Sequence, residues 1–150
     1  MSPSGTIESP LEHSFSSPAF RRASVVDAMR MGIVDCAPDT TLREVARIMS
    51  TYRIHAVVVR EPADDRPWGV VAGSDLAAVA GEDVDAVRAS EIARTELVTV
   101  AANAPLSRAA QLMAEHEVNH LLVVQPHSGQ PVGVISVLDL AGVLAWGTRA

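Results

Sequence analysis

The chain has 150 residues, of which 48% are apolar and only 3% are aromatic, and its formal net charge is −6. This length fits one compact unit whose core is built from aliphatic side chains rather than rings. The acidic balance argues against a nucleic-acid partner, because binding of a phosphate backbone depends on clustered basic residues and single-strand binders add stacking rings.

Cysteine content and hydropathy bear on the cellular compartment. A single cysteine, Cys36, cannot form an internal disulfide, so nothing indicates an oxidising compartment. No apolar run approaches the length of a membrane span, and the pair Arg21-Arg22 is followed by Asp27 and Arg30 rather than by a long apolar stretch. We therefore expect a soluble, cytoplasmic protein with no membrane partner.

Residues 1–23 form a segment rich in serine and proline, without a sustained apolar period. Such a segment buries too little apolar surface to offset the entropy of ordering its backbone. We expect residues 1–23 to be a flexible tail, residues 24–82 to form a first structural copy and residues 83–150 to form a second copy.

A short helix and a short strand open the first copy. Ser24 is a suitable N-cap for a helix that runs to Met29. A strand is expected at residues 33–36, where the chain reaches the turn formers Pro38 and Asp39.

A longer helix follows the turn. Thr41 and Glu44 have the spacing of a capping box. Behind this cap, apolar residues recur at helical spacing as far as Tyr52, with charged residues between them. The pattern predicts a half-buried amphipathic helix that ends near Arg53.

Two strands and a helix complete the first copy. The β-branched run at residues 56–59 is too short and too uniformly apolar for a surface helix, which favours a buried strand. A proline-bounded loop leads to a second strand at residues 68–72. A helix rich in alanine then begins near Gly73 or Ser74 and continues to Ala80.

The same pattern returns 64 residues later, without a gap from residue 26 to residue 79. The pairs Gly69 and Gly133, and Asp75 and Asp139, are identical at matching positions. The second copy is expected to contain a strand at 97–100, a helix at 105–115, a strand at 120–124, and a strand and a helix between 133 and 146. This duplication is the strongest structural signal in the chain.

The order of elements in each copy predicts how its strands pair. A helix crossover makes the first two strands parallel, and a short loop makes the last two antiparallel. Because three strands are too few to stand alone, the two copies must pack sheet to sheet or helix to helix. We expect an α/β (α+β) fold of tandem βαββα repeats, related by a pseudo-twofold axis that creates two equivalent clefts.

This layout, and above all the sequence Gly-Val-Ile-Ser-x-x-Asp at residues 133–139, resembles the cystathionine-β-synthase (CBS) domain, which occurs in tandem pairs. The resemblance covers roughly residues 24–146. It implies a stand-alone regulatory module that senses an adenosine-containing ligand such as AMP, ADP, ATP or S-adenosylmethionine. It implies neither a required cofactor nor catalytic activity.

The resemblance also assigns roles to residues of the second copy. Asp139 would hold the ribose hydroxyls and Ser136 would reach the phosphate, which suits a carboxylate that can accept from both hydroxyls and a serine at a helix N-terminus. The residues that would line the adenine in this stronger cleft are Thr99, Val100, Asn119, His120 and Leu121.

The first copy keeps the aspartate but departs from the pattern. Asp75 matches Asp139, whereas Ala72 stands in the place of Ser136. A ribose contact would survive there, but the phosphate contact would be missing unless Ser74 turns inward. We therefore expect a weaker cleft. The residues expected to line it with Asp75 are Arg53, His55 and Ala56.

Other interpretations of these residues stay open. Ser136 and Asp139 also have the spacing of a helix N-terminal cap, which needs no ligand. His55, His116 and His120 lack the spacing of a metal site, so no metal is expected. The chain shows no nucleophile–base grouping, glycine-rich phosphate loop or paired carboxylates, and we do not expect an enzyme.

The closing helices, at residues 76–80 and 138–146, are apolar on more than one face. Such a helix needs a second partner. We expect a homodimer through these helices or a docking surface for a regulated protein. Two functions therefore stay open: a nucleotide sensor that signals to a partner, and a ligand-free dimeric scaffold.

Overall fold

A computed structural model of the chain describes residues 18–61 and 67–147. Its helices are α1 (Pro18–Arg22), α2 (Val25–Ala28), α3 (Leu42–Tyr52), α4 (Gly73–Ala78), α5 (Ala89–Ile92), α6 (Leu106–His116) and α7 (Val137–Trp146). Its strands are β1 (Arg30–Met31), β2 (Asp35–Cys36), β3 (Ala56–Arg60), β4 (Pro67–Ala72), β5 (Thr99–Ala101), β6 (His120–Val124) and β7 (Pro131–Ser136).

The strand pairing follows the order of elements in each copy. In the first copy, β2 is parallel to β3 and β3 is antiparallel to β4. In the second copy, β5 is parallel to β6 and β6 is antiparallel to β7. Helices α3 and α6 provide the crossovers that parallel pairing requires. The predicted fold class and the tandem repeat are confirmed.

Cap residues mark the boundaries of the long helices α3 and α6. Thr41 Oγ1 accepts a hydrogen bond from Glu44 N at 3.2 Å, which caps the start of α3. The C-cap residue of α3 is Arg53 and that of α6 is Glu117, and both lie in the left-handed region with φ of 52°. The two matching positions therefore carry opposite charges.

Several elements are shorter than predicted, including the strand expected at residues 97–100, which is observed as Thr99–Ala101. The strand expected at residues 33–36 is reduced to β2, although Val34 O still accepts a hydrogen bond from Val58 N at 3.1 Å. The helix expected to reach residue 80 ends at Ala78, and a turn follows it.

The leading segment of each copy packs on the other copy. Strand β1 pairs antiparallel with β7, so the sheet of the second copy has the order β1-β7-β6-β5. In return, Arg94 exchanges backbone hydrogen bonds of 2.9 and 3.0 Å with Val70 on β4. Strand β1 was not predicted, because a two-residue strand has no periodicity that a sequence pattern can reveal.

Two isolated β-bridges also join the leading segment of each copy to the other copy. Ser24 pairs with Pro105, and Arg88 pairs with Thr41. The two pairs are related by the same offset of 64 residues that relates the copies. The exchange therefore obeys the pseudo-twofold symmetry.

The cores show the same exchange. Val25 and Ala28 of α2 lie in the cluster of the second copy with Leu106, whereas Ala89 of α5 lies in the cluster of the first copy with Val45. The core of each copy is thus completed by the short leading helix of the other copy.

The two sheets face each other. Successive side chains of a strand point to opposite faces. Val57 and Val59 of β3 pack with the helix side of the first copy. Ala56 and Val58 instead pack with Leu122 of the second copy. The copies therefore pack sheet to sheet, which is one of the two arrangements predicted.

The predicted tail spans residues 1–23. Residues 1–17 lie outside the described residues, while residues 18–23 contain α1 and the buried Ala23. The boundaries assigned to the tail and to the two copies stay a prediction. In the part of the chain that the structure describes, no helix is both long enough and apolar enough to cross a membrane.

Candidate ligand-binding clefts between the two copies

A pocket of about 130 Å³ lies where the end of β7 meets the first copy. The second copy contributes Val134, Ser136, Leu138 and Asp139, and the first copy contributes Gly32, Val34 and residues 53–56. The pocket is therefore an interface between the copies. Hereafter it is called the Ser136 pocket.

Ser136 and Asp139 are joined across the first turn of α7. Asp139 Oδ2 accepts a hydrogen bond from the Ser136 N–H at 2.8 Å and another from the Ser136 hydroxyl at 3.1 Å. Among the described residues, no hydrogen bond reaches Asp139 Oδ1. Oδ2 therefore caps the helix, while none of the described side chains uses the acceptor positions of Oδ1.

The same hydrogen bonds occur at the start of α2. Asp27 Oδ2 accepts from the Ser24 N–H at 2.9 Å and from the Ser24 hydroxyl at 3.0 Å. The Ser-x-x-Asp arrangement is therefore a helix cap in its own right. What distinguishes Ser136 and Asp139 is the pocket that they share with residues of the other copy.

Arg53 supplies the positive charge of the Ser136 pocket. It lies at the C-cap of α3 and faces the pocket together with His55. The chain contains no lysine, so arginine is the only permanently charged cationic side chain available to an anionic ligand. The pocket thus combines a guanidinium, a hydroxyl and a carboxylate from two copies.

Asp75, the counterpart of Asp139, has partners on both carboxylate oxygens. Oδ2 accepts from the Ala72 N–H at 2.8 Å, and Oδ1 pairs with Arg94 Nε at 3.0 Å. Only 10% of the Asp75 side chain is exposed. The carboxylate is occupied by groups of the protein itself.

The cavity beside Arg94 measures about 30 Å³ and is the symmetry counterpart of the Ser136 pocket. Arg94, Glu96 and His120 are its charged or titratable lining residues. Burial lowers the pKa of His120 below its ordinary value; the Asp75 charge opposes this shift and the Arg94 charge adds to it. A cavity of this size has room for roughly one or two water molecules but not for an adenine ring.

A third cavity, of about 380 Å³, lies on the pseudo-twofold axis. It is lined by matched pairs, namely His55 and Asn119, Ala72 and Ser136, Gly73 and Val137, and Ser74 and Leu138. It shares His55, Ser136 and Leu138 with the Ser136 pocket. The two cavities therefore adjoin, and we call this one the axial cavity.

The structure corrects the predicted grouping of the cleft residues. Arg53, His55 and Ala56 were predicted to accompany Asp75, but they lie in the pocket with Ser136. The reason is the exchange of leading segments, because the pairing of β1 with β7 brings the first copy to the end of β7. The sequence pattern assigns the lining of each cleft to a single copy and therefore does not indicate Gly32, Val34 and Ile54 of the first copy beside Ser136. Val134 and Leu138 of the second copy also line this pocket and were not predicted.

The residues predicted to accompany Ser136 are dispersed. His120 lies in the Arg94 cavity, Asn119 in the axial cavity, Val100 and Leu121 in the core of the second copy, and Thr99 in an exposed position on β5. Because side chains alternate along a strand, His120 and Leu121 cannot line one cleft. The ligand roles assigned to individual residues stay predictions.

The described residues contain no candidate metal-binding cluster. No group of three or more His, Cys, Asp and Glu side chains within residues 18–61 and 67–147 is arranged to hold a metal ion. Cys36 is partly buried, and burial raises the pKa of its thiol to about 11, which makes it a poor nucleophile.

The sequence profile of the CBS domain matches residues 24–82 and residues 89–145, which together make up most of the chain. The chain belongs to the CBS domain family. The two matches correspond to the two copies, so the protein is a CBS pair.

Curated relatives and solved structures are similar to this CBS pair over most of its length. The CBS domain-containing protein YhcV of Bacillus subtilis is 31% identical over 122 residues, which are 79% of this chain and 84% of YhcV. Hypoxic response protein 1 of Mycobacterium tuberculosis is 30% identical over 118 residues, which are 77% of this chain and 80% of that protein. The solved structure of a CBS domain protein from Pyrobaculum aerophilum complexed with AMP is 29% identical with a TM-score of 0.71, and the match covers 79% of this chain and 90% of that one.

Proposed function

We propose that this CBS pair is a regulatory module, without catalytic activity, that binds an adenosine-containing ligand in the Ser136 pocket and signals its bound state to a partner protein. The observation that carries the proposal is the meeting of Arg53 from one copy with Ser136 and Asp139 from the other. A ligand that contacts all three would hold the two copies together.

The groups in the pocket are complementary to a nucleoside phosphate. Asp139 Oδ1 can accept hydrogen bonds from the two ribose hydroxyls, since a carboxylate oxygen has two acceptor positions. Arg53 and the Ser136 hydroxyl can donate to phosphate oxygens, and hydrogen bonds between charged groups are the stronger kind. Val34, Ala56 and Val134 offer an apolar surface to the adenine ring.

The space available supports the same ligand class. The Ser136 pocket alone is small for a nucleotide, but it adjoins the axial cavity, which measures about 380 Å³. The adenosine would occupy the Ser136 pocket, and its 5′ substituent would extend toward the axial cavity. AMP, ADP, ATP and S-adenosylmethionine are the candidates, and the AMP complex of the Pyrobaculum aerophilum relative supports the choice of AMP as the first probe.

Signalling would follow from a shift in the population of conformations. A ligand shifts a conformational equilibrium only by its difference in affinity for the two states. A ligand held by Arg53 and Asp139 favours the state in which the copies are closest. Because Asp139 lies in the first turn of α7, this change would reach the exposed apolar residues of that helix.

These exposed residues support a homodimer. Val137, Leu138, Leu144 and Trp146 of α7 are exposed, and Trp146 retains 89% of its accessible surface. Exposed apolar groups of this size on one short helix favour burial against a partner. We propose a second copy of the chain as that partner, with a regulated protein as the further binding partner.

The test of the ligand proposal is a thermal-shift measurement with AMP, ADP, ATP and S-adenosylmethionine. A ligand at 100 times its dissociation constant stabilises the folded state by about 2.7 kcal/mol. We expect at least one of these ligands to raise the melting temperature of the wild type. Asp139→Ala should abolish the ligand-dependent rise and also lower the stability of the free protein by about 1 kcal/mol, because a helix cap is lost.

Asp27→Ala is the matched control. It removes a carboxylate with the same capping hydrogen bonds but lies outside the Ser136 pocket. This variant should lose stability while keeping the ligand-dependent rise. If no ligand stabilises the wild type, the ligand-free dimeric scaffold becomes the better account. If Asp139→Ala responds as the wild type does, the assignment of the ligand to the Ser136 pocket is wrong.

A further inference from the structure

The two clefts are related by symmetry, but most of the residues at matching positions differ, and four of these differences bear on ligand binding. Ala56 and Gly32 of the Ser136 pocket correspond to His120 and Glu96, which line the Arg94 cavity. By the same offset in sequence, Ser136 corresponds to Ala72 and the C-cap residue Arg53 to Glu117. These replacements remove a hydroxyl, add bulk and exchange a positive charge for negative ones. The cleft beside Asp75 is therefore smaller and more acidic than its counterpart.

Arg94 is held firmly at this second cleft by its main chain. Its N–H donates to Val70 O at 2.9 Å, and its carbonyl accepts from Val70 N at 3.0 Å. The approach is so close that a Cβ at position 69 would lie 2.9 Å from Arg94 O, which explains the glycine at this position. The Arg94 side chain then reaches Asp75, whose Oδ1 lies 3.0 Å from Arg94 Nε.

We propose that Arg94 is a built-in occupant of the second cleft, which with His120 closes that cleft to adenosine-containing ligands, so that the chain binds one such ligand and not two. Arg94 takes the Asp75 oxygen whose counterpart on Asp139 has no partner among the described side chains. The matching residue of the first copy is Arg30, whose side chain lies outside the described part of the chain. The number of ligands bound rests on the proposed function, whereas the closed state of the cleft does not.

Electrostatics favour the arginine over an anionic ligand in this cleft. Asp75 is nearly buried, and a carboxylate left without a partner in such a position is unfavourable. Glu96 lines the same cavity, so a phosphate group would meet like charge there. The guanidinium of Arg94 supplies the compensating positive charge, although 58% of its own side chain stays exposed to solvent at the mouth of the cleft.

The first test needs no ligand. An NMR titration of the His120 imidazole reports on the charges beside it. Replacing Arg94 by alanine removes a nearby cation and should raise the pKa of His120, and Asp75→Asn should lower it. Arg43→Ala is the matched control, since Arg43 makes a comparable pair with Asp85, 2.7 Å long, on the surface. An unchanged His120 titration in Arg94→Ala would show that Arg94 does not occupy the cleft.

The second test counts bound ligands by calorimetric titration with AMP. The wild type and Arg43→Ala should bind one AMP per chain. A triple variant, Arg94→Ala with His120→Ala and Ala72→Ser, opens the cleft and restores the missing hydroxyl, and it should bind two. If the wild type already binds two, or if the folded triple variant still binds one, the proposal is overturned. If neither protein binds AMP, the proposed function fails, and the His120 titration alone decides whether Arg94 closes the cleft.

Discussion

Asp75 and Asp139 use one carboxylate oxygen in the same way and the other differently. In both, Oδ2 accepts from the N–H that precedes the helix, at 2.8 Å. The second oxygen of Asp75 is paired with Arg94. This difference makes Asp139 the better candidate for a ribose contact, although the two residues are identical in type and in position within their copies.

A first prediction at this scale concerns His120 and pH. Because burial lowers the pKa of His120 below its ordinary value of 6.5, the unfolded chain binds a proton more readily than the folded protein. The stability due to neutral His120 is therefore fully present above about pH 6.5 and is lost as the pH falls below it. We expect the melting temperature to decline between about pH 7.5 and pH 5.5, and His120→Asn to reduce this decline.

The exposed His116 supplies the control for this experiment. His116→Asn should keep the pH profile of the wild type. Melting curves of the wild type, His120→Asn and His116→Asn across this pH range test whether His120 takes up the proton. Equal declines in the wild type and in His120→Asn would contradict the assignment of the proton uptake to His120.

A second prediction concerns Cys36. Burial, reinforced by the charge of Asp35 and opposed by a hydrogen bond with Thr40, raises the pKa of the thiol to about 11. Thiolate is the reactive form, so alkylation by iodoacetamide at about pH 8 should be roughly 100-fold slower in the folded protein than in urea. Mass spectrometry measures both rates. Similar rates in the two conditions would show that Cys36 is not protected by burial.

At the residue scale, the sequence identified the capping pairs but not their surroundings. The spacing of Ser136 and Asp139 was sufficient to predict a helix cap, because a cap involves only neighbours in the chain. The pairing of Asp75 with Arg94 spans 19 residues and joins two copies. No local pattern specifies such a contact, and the same limit applies to the meeting of Arg53 with Ser136.

The element that best illustrates the exchange between copies is α2. Val25 is fully buried in the core of the second copy, whereas the adjacent Val26 is 44% exposed. We predict that Val25→Ala lowers the free energy of unfolding by about 2 kcal/mol, from lost burial and the cavity left behind. Val26→Ala, with the same chemical change on the same helix, should alter it by less than about 0.5 kcal/mol.

Chemical denaturation followed by circular dichroism measures both values. If the two variants lose stability equally, α2 does not pack into the second copy as the structure indicates. A single transition in the wild type is also expected, because neither core is complete without a segment from the other copy.

Elements with clear periodicity were predicted within a few residues. The helix predicted to end near Arg53 does so, and the strands expected at 120–124 and 68–72 are present as β6 and β4. Strand β1 was missed, because it is only two residues long and exists by virtue of its pairing with β7. Tertiary contact, rather than local propensity, determines that element.

At the scale of the whole molecule, the exposed face of α7 leads to a prediction about assembly. The wild type should be a dimer in light scattering at micromolar concentration. Trp146→Asp places a charge at the most exposed apolar residue of α7 and should yield a monomer. Tyr52→Asp, which charges another exposed aromatic position on α3, should leave the dimer intact. A monomeric wild type would contradict the proposed role of α7.

The 64-residue repeat was sufficient to predict two copies, their strand pairing and a pseudo-twofold relation. It left open whether the copies pack by their sheets or by their helices. It also could not show which residues of one copy face the other, because a repeat defines each copy internally and says nothing about the contact between copies. The packing of Ala56 and Val58 with Leu122 decides the first point, and the exchange of leading segments through β1 and Arg94 decides the second.

The central claim is that the ligand site joins the two copies at the Ser136 pocket. An NMR titration of backbone amides with AMP tests it most directly, since each amide reports its own position. We predict that the amides of Ala56 in the first copy and Ser136 in the second shift together, with one dissociation constant, while that of Arg94 stays unchanged. Shifts confined to one copy, or shifts centred on Arg94, would contradict the account.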